Sequence, residues 1–234
     1  MPADPPPPAR HDGDIGVGDI DLPLHIRSAT QASATWLVDA DVAQAIVAPT
    51  TLLVARVGPG GRRSAVTLAA VQYADGDLGP YNEVALAFSV RSHDVPDSNP
   101  PMRAPVTYIH RLPVNAQFTC AAGRQIWGFP KWVATIDIQR RAANTRALVV
   151  DEGLVVLGAD FSAGWLPLRT QELTMSCYAM GDGVLRRTRW STTSHGARLR
   201  PGGSSVEVGS DHPMAAEVEA LDLHRRSPLF TMST

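Results

Sequence analysis

A chain of 234 residues, 44% of them hydrophobic, is long enough to bury a sizeable core. Lys and Arg total 21 against 23 Asp and Glu, a net charge of -2, which leaves no basic field for nucleic acid. Two cysteines are too few for a disulfide framework and fit reduced thiols in a cytoplasmic protein. No apolar run reaches the length of a membrane span, and the seven histidines show no metal-ligand spacing, so neither a membrane partner nor a metal is expected.

Residues 1–19 are rich in Pro, Gly and Asp and read as a disordered tail ahead of one domain over residues 20–234. Leu22-Pro23-Leu24-His25-Ile26-Arg27 leads into the fold. Asp39–Val47 reads as a short helix, capped by Asp39 and stopped by Pro49. Thr51–Val57 and Ser64–Tyr73 read as a hairpin turned by Gly58-Pro59-Gly60-Gly61, and Glu83–Val90 as a further strand. Those glycines lack the lysine of a phosphate-binding loop. Ser92–Pro105, with four prolines, reads as a loop that would cover a site. Strand patterns follow at 106–112, 132–139, 147–157 with a bend at Gly153, 173–179, 184–193 and 204–208. Pro213 opens a helix over Met214–Leu223, whose buried face would include Ala216, Val218, Ala220 and Leu221, and Leu229–Met232 closes the chain as a strand. The pattern lacks strand–helix alternation and predicts a β-rich α+β fold. Its mostly antiparallel strands are expected to close into a barrel around a pocket, with a few short helices.

Lys131 is the only lysine in the chain. It sits between Pro130 and Trp132, close to Trp127 and Phe129. Arginine carries every other basic side chain, so the position of the one survivor carries information. A lysine is ordinarily a solvated surface charge. Burial among aromatic rings disfavours the ammonium form, and a neutral amine can attack a carbonyl to form a Schiff base.

The run Gly123-Arg124-Gln125-Ile126-Trp127-Gly128-Phe129-Pro130-Lys131 resembles the active-site segment of the acetoacetate decarboxylase family. The decarboxylase that gives the family its name is itself the standard example of a lysine activated by desolvation or a neighbouring cation. The resemblance implies a β-rich, cone-like barrel, Lys131 as the Schiff-base nucleophile and no cofactor. It also implies that Glu83, in Tyr81-Asn82-Glu83, faces the lysine and shuttles protons; read alone, Glu83 would be a surface carboxylate. Two departures and one match stand out. Trp132 occupies the place of the family's second lysine, Leu68 is reached by counting back to the family's other acidic residue, and Arg27 is the counterpart of its N-terminal arginine. Arg27, Leu68, Tyr81, Trp127, Phe129 and Trp132 are thus the expected substrate-binding residues. The implied function is a Schiff-base lyase acting on a keto acid or related small carbonyl compound, by decarboxylation or by aldol and dehydration chemistry. With Leu68 and Trp132 in the pocket, the substrate is expected to be bulkier or less charged than acetoacetate. The alternative is a non-catalytic barrel that binds an apolar small ligand. The family resemblance also implies a homo-oligomer.

Overall fold

The computed structural model describes residues 20–91, 106–209 and 211–234. The expected tail over residues 1–19 and the covering loop over 92–105 lie outside the described residues. The strands of the first half are β1 (Ile26–Asp39), β2 (Arg56–Val57), β3 (Arg63–Gly76), β4 (Tyr81–Ser89), β5 (Val106–Val114), β6 (Lys131–Val133) and β7 (Thr135–Arg140). Those of the second half are β8 (Asn144–Asp151), β9 (Leu154–Ser162), β10 (Leu166–Pro167), β11 (Gln171–Gly181), β12 (Val184–Ser194), β13 (Arg198–Pro201), β14 (Ser204–Val208) and β15 (Phe230–Ser233). Among the described residues three α-helices accompany them: α1 (Ala40–Val47), α2 (Gln117–Trp127) and α3 (Pro213–Ala220).

The strands form two sheets. The larger runs β10-β13-β15-β1-β3-β4-β5-β11-β12, with β2 on β3 and β6 on β5; the smaller runs β14-β9-β8-β7. The β-rich character and the few helices match expectation, but the larger sheet is open. Its strand order ends at β10 and β12, and no pairing among the described residues joins them into a barrel.

The two sheets enclose the main core between them. Trp36, Leu68 and Phe88 of the larger sheet share it with Ile136, Val149 and Phe161 of the smaller. In β4, side chains alternate across the sheet. Val84, Leu86 and Phe88 enter this core, whereas Tyr81 and Glu83 point to the other face. A second, smaller apolar cluster lies on that other face, where Leu78, Tyr81 and Val114 meet Phe118, Cys120 and Ala122 of α2. The Lys131 site belongs to this second face.

Local chemistry explains most element boundaries. Asp39 caps α1 as expected, accepting from the N–H groups of Asp41 and Val42. The expected strand at Thr51–Val57 shrinks to Arg56–Val57, because Thr51 takes a left-handed conformation with φ of 65°. The strand expected to bend at Gly153 is a hairpin instead: Glu152 and Gly153 both have positive φ, the geometry of a tight two-residue turn between β8 and β9. In α3, His212 caps the first turn, and Met214, Ala215 and Val218 are buried while Ala216 and Ala220 are exposed. Cys120 and Cys177 are buried and unpaired with each other, and burial pushes the Cys177 thiol up to about 11. No described helix is long and apolar enough to cross a membrane.

Candidate active site

Helix α2 delivers the lysine. Its C-terminus is closed by Gly128 in the left-handed conformation (φ 67°), whose N–H bonds back to the Arg124 carbonyl while the Phe129 N–H bonds to that of Gly123. A side chain at Gly128 would also meet Arg186, so both conformation and space demand glycine. Pro130 then starts an extended segment, and Lys131 opens β6, pairing in parallel with Leu112 of β5. Gly123 faces Lys131 from the preceding helix. A β-carbon there would stand 2.6 Å from Lys131 Cδ and 2.7 Å from Cε. The lysine stem therefore runs through a slot that only glycine leaves open.

The amine ends in a buried ion pair. Lys131 Nζ lies 2.8 Å from Glu83 Oε2, with the two side chains 4% and 9% exposed. The other carboxylate oxygen, Oε1, accepts a hydrogen bond of 3.2 Å from the Tyr73 hydroxyl. The Tyr73 and Tyr81 rings stack at 4.3 Å, and Nζ sits over the Tyr81 ring at 5.1 Å and near Phe129 at 6.0 Å. Burial first, and then the charge of Glu83, raise both phenols above their ordinary range, so both keep their protons at working pH. Burying a charge pair is costly unless its geometry is good, and it is seldom the cheapest way to stabilise a core. A lone lysine kept in such a pair fits a chemical use. The carboxylate lies within hydrogen-bond reach of the amine, the distance over which a proton can pass.

The structure brings part of the expected set together. Lys131, Glu83, Tyr81 and Phe129 converge, and Trp127 stacks behind Phe129 at 5.9 Å. Trp132 lines the cavity beside the amine. It alternates with Lys131 along β6, packs against the main core and stacks on His212 at 5.6 Å. Leu68 is fully buried in the main core and pairs with Leu86, on the opposite face from Glu83; the residue opposite Glu83 on β3 is Val71. Counting back by sequence distance misses this, because the β3–β4 register sets the face. Arg27 is held by Asp75 at 2.8 Å and Asp77 at 2.6 Å, on a bulged part of β1 at the end of β3. It does not line the cavity beside Lys131.

That cavity, of about 440 Å³, opens where β5 changes partner from β11 to β6, and Arg111, Arg124, Phe129, Lys131, Trp132 and His212 line it. Arg111 is fixed by Glu217 of α3 through Nε at 2.9 Å and Nη2 at 2.5 Å, and Nε2 of His110 reaches the same carboxylate at 2.9 Å. Burial works to raise the Glu217 carboxyl, but its bonds to Arg111 and His110 outweigh that and bring it down from 4.5 to about 2. A lowered carboxyl stabilises the fold above pH 4.5 and loses that contribution as pH falls toward 2. Urea unfolding of wild type against Glu217→Gln is therefore expected to show a gap on the order of 2–3 kcal/mol near neutral pH. The gap closes steadily below pH 4.5, and a gap independent of pH would contradict it.

Tyr73, Gly123 and Arg111 are the residues around the lysine that sequence reasoning passed over. Tyr73 was reachable through hairpin register, since it pairs directly with Tyr81. Among the described residues no three His, Cys, Asp or Glu side chains gather to hold a metal.

Comparison with known proteins places these features in context. The family profile described as Acetoacetate decarboxylase (ADC) matches residues 18–227. A structure described as a structural study of acetoacetate decarboxylase is similar over 94% of this chain and 92% of its own, with a TM-score of 0.62 at 15% identity. An acetoacetate decarboxylase from Legionella pneumophila gives 0.59 at 16% identity over 90% and 84% of the two chains. The enduracididine biosynthesis enzyme MppR, complexed with pyruvate, gives 0.53 at 14% identity over 88% and 84%. No curated protein matches by sequence.

Proposed function

Because the chain belongs to the acetoacetate decarboxylase family, we propose that it is a cofactor-independent Schiff-base lyase acting on a small carbonyl compound through Lys131. The observation that carries this reading is the buried 2.8 Å contact between its one lysine amine and Glu83. Glu83 takes a proton from the ammonium, and the neutral Nζ adds to the substrate carbonyl. Glu83 gives that proton to the departing hydroxyl, and loss of water leaves an iminium, which acts as an electron sink, with Glu83 a carboxylate again. Breaking a carbon–carbon bond, with release of carbon dioxide from a β-keto acid, or removing a proton from the adjacent carbon leaves an enamine. In the first route the enamine carbon takes a proton from solvent, relayed by Glu83, and hydrolysis frees the product and the amine. In the second the enamine carbon adds to an aldehyde, followed by dehydration.

The expectation of a bulkier or less charged substrate rested on Leu68 and Trp132; Leu68 lies in the main core, whereas Trp132 lines the cavity beside the amine. Arg111 and Arg124 line the adjoining cavity and favour a substrate that carries a carboxylate. Acetoacetate therefore belongs in a test panel with larger β-keto acids and, because the similar enzyme MppR is complexed with pyruvate, with pyruvate plus an aldehyde. NMR of the mixtures separates the two routes: decarboxylation yields the ketone one carbon shorter, and condensation yields an enone. At least one mixture is expected to give a product that depends on Lys131. Products formed equally by Lys131→Ala would overturn the proposal.

A further inference from the structure

The two oxygens of Glu83 have different partners: Oε2 meets Lys131 Nζ at 2.8 Å, and Oε1 accepts from the Tyr73 hydroxyl at 3.2 Å. The family resemblance calls for an acidic residue on the strand before Tyr-x-Glu, yet β3 places Val71 opposite Glu83 and the phenol of Tyr73 beside it. We infer that Tyr73 is a positioning residue for the proposed Schiff-base reaction, acting through Glu83 to hold its carboxyl group in place for proton transfer to and from substrate carbon. The inference rests on the Schiff-base reading of Lys131.

Three observations support it. A carboxyl group with one oxygen tied down cannot rotate freely, so the oxygen beside the amine stays aimed at the reacting atoms. The Tyr73 ring is itself fixed, stacked on Tyr81 at 4.3 Å with the planes 18° apart. Burial and the charge of Glu83 keep the phenol protonated, so it remains a donor whenever the carboxylate is ionised. In the proton-transfer step a carbon–hydrogen bond of the iminium breaks, its electron pair moves into the enamine, and the proton passes to Glu83. The reverse step restores both. The Tyr73 hydroxyl keeps its own proton throughout, tightening its bond as the carboxylate forms and easing it as the acid forms.

The test separates imine formation from proton transfer at carbon. Wild type and Tyr73→Phe are incubated with pyruvate, and separately with acetone. Borohydride reduction and mass measurement report the imine on Lys131. NMR in deuterium oxide reports exchange of the substrate methyl protons above the rate without protein, which the proposed reaction routes through the enamine. Tyr73→Phe is expected to retain the trapped adduct within about 2-fold while exchange slows by about 10-fold or more, the lower end of what a positioned acid or base contributes. Unchanged exchange would overturn the inference, and so would loss of adduct and exchange in equal proportion, the mark of a purely structural role. Should Tyr73→Phe not fold, 3-fluorotyrosine encoded at position 73 keeps both shape and hydroxyl and alters only donor strength; exchange must then shift while the adduct does not, and constant exchange overturns the inference. Absence of any adduct with wild type would instead remove the Schiff-base reading on which all of this stands.

Discussion

Lys131→Met is expected to abolish imine formation and to lower turnover by on the order of 10³-fold or more, because a thioether cannot supply the nucleophilic amine. Methionine keeps most of the stem, so the slot beside Gly123 stays filled. What it removes is the charge opposite Glu83, whose side chain is 9% exposed and would be left without its 2.8 Å partner. Stranding one member of a buried pair typically costs about 3–5 kcal/mol. Lys131→Met should therefore also be less stable than wild type, by urea unfolding at neutral pH. Adding Glu83→Gln should recover most of that loss, since the amide oxygen still accepts from Tyr73 and no buried charge remains. Activity should not return. Recovered stability without recovered activity is the signature of a pair kept for chemistry. A Lys131→Met protein with wild-type turnover would end the account.

Gly123→Ala carries the second large effect, and here intrinsic preference and packing pull in opposite directions. In the interior of a helix alanine is favoured over glycine by roughly 0.5–1 kcal/mol. Yet the added methyl would stand 2.6 Å from Lys131 Cδ and 2.7 Å from Cε. A free lysine stem would swing away, but this one is held at both ends, by the β6 backbone pairing and by Glu83. Overpacking of this kind costs about 1–3 kcal/mol. Displacing the amine by about 1 Å from its working position can cost about 10²-fold in rate. We expect Gly123→Ala to be less stable than wild type and to lose about 10²-fold in kcat. In a Lys131→Ala background the clash partner is gone, and the same substitution should become neutral or stabilising. If it destabilises both backgrounds equally, the glycine serves the helix packing and not the lysine.

The site was legible where it rests on chemistry concentrated in a short run. One lysine in the chain, set among Trp127, Phe129 and a proline, marks itself without any tertiary information. Glu83 needed the family resemblance, because a lone glutamate at the start of a strand carries no signal of its own. What escaped was decided by register and face. Leu68 lies three residues before Val71, the actual neighbour of Glu83; an odd offset on a strand turns a side chain to the opposite face, and so into the core. Trp132, one step along β6 from Lys131, packs against the main core and still borders the cavity. Helix α2 was hidden because its sequence argues against it: Ala116 offers no side-chain cap, and Gly123 weakens the interior. The glycine that obscures the helix is the one that admits the lysine. Long β1 also went unread, its run of Ser, Ala and Thr showing little alternation until paired with β3. Barrel closure was inferred from strand content and from the family resemblance, and neither says whether the first and last strands of this chain meet.

The central claim is a covalent bond between Lys131 and a carbonyl substrate, and the sequence makes it unusually simple to test. With a single lysine, the side-chain amines available for reductive trapping reduce to one. The protein is incubated with acetoacetate, larger β-keto acids or pyruvate, reduced with borohydride and weighed intact, and digestion then assigns the adduct between Lys131 and the terminal amine. The account predicts one equivalent of adduct on the peptide that contains Lys131, lost in Lys131→Met and still formed by Tyr73→Phe. Folded protein that reacts with every member of the panel only at the terminal amine, or not at all, would contradict it.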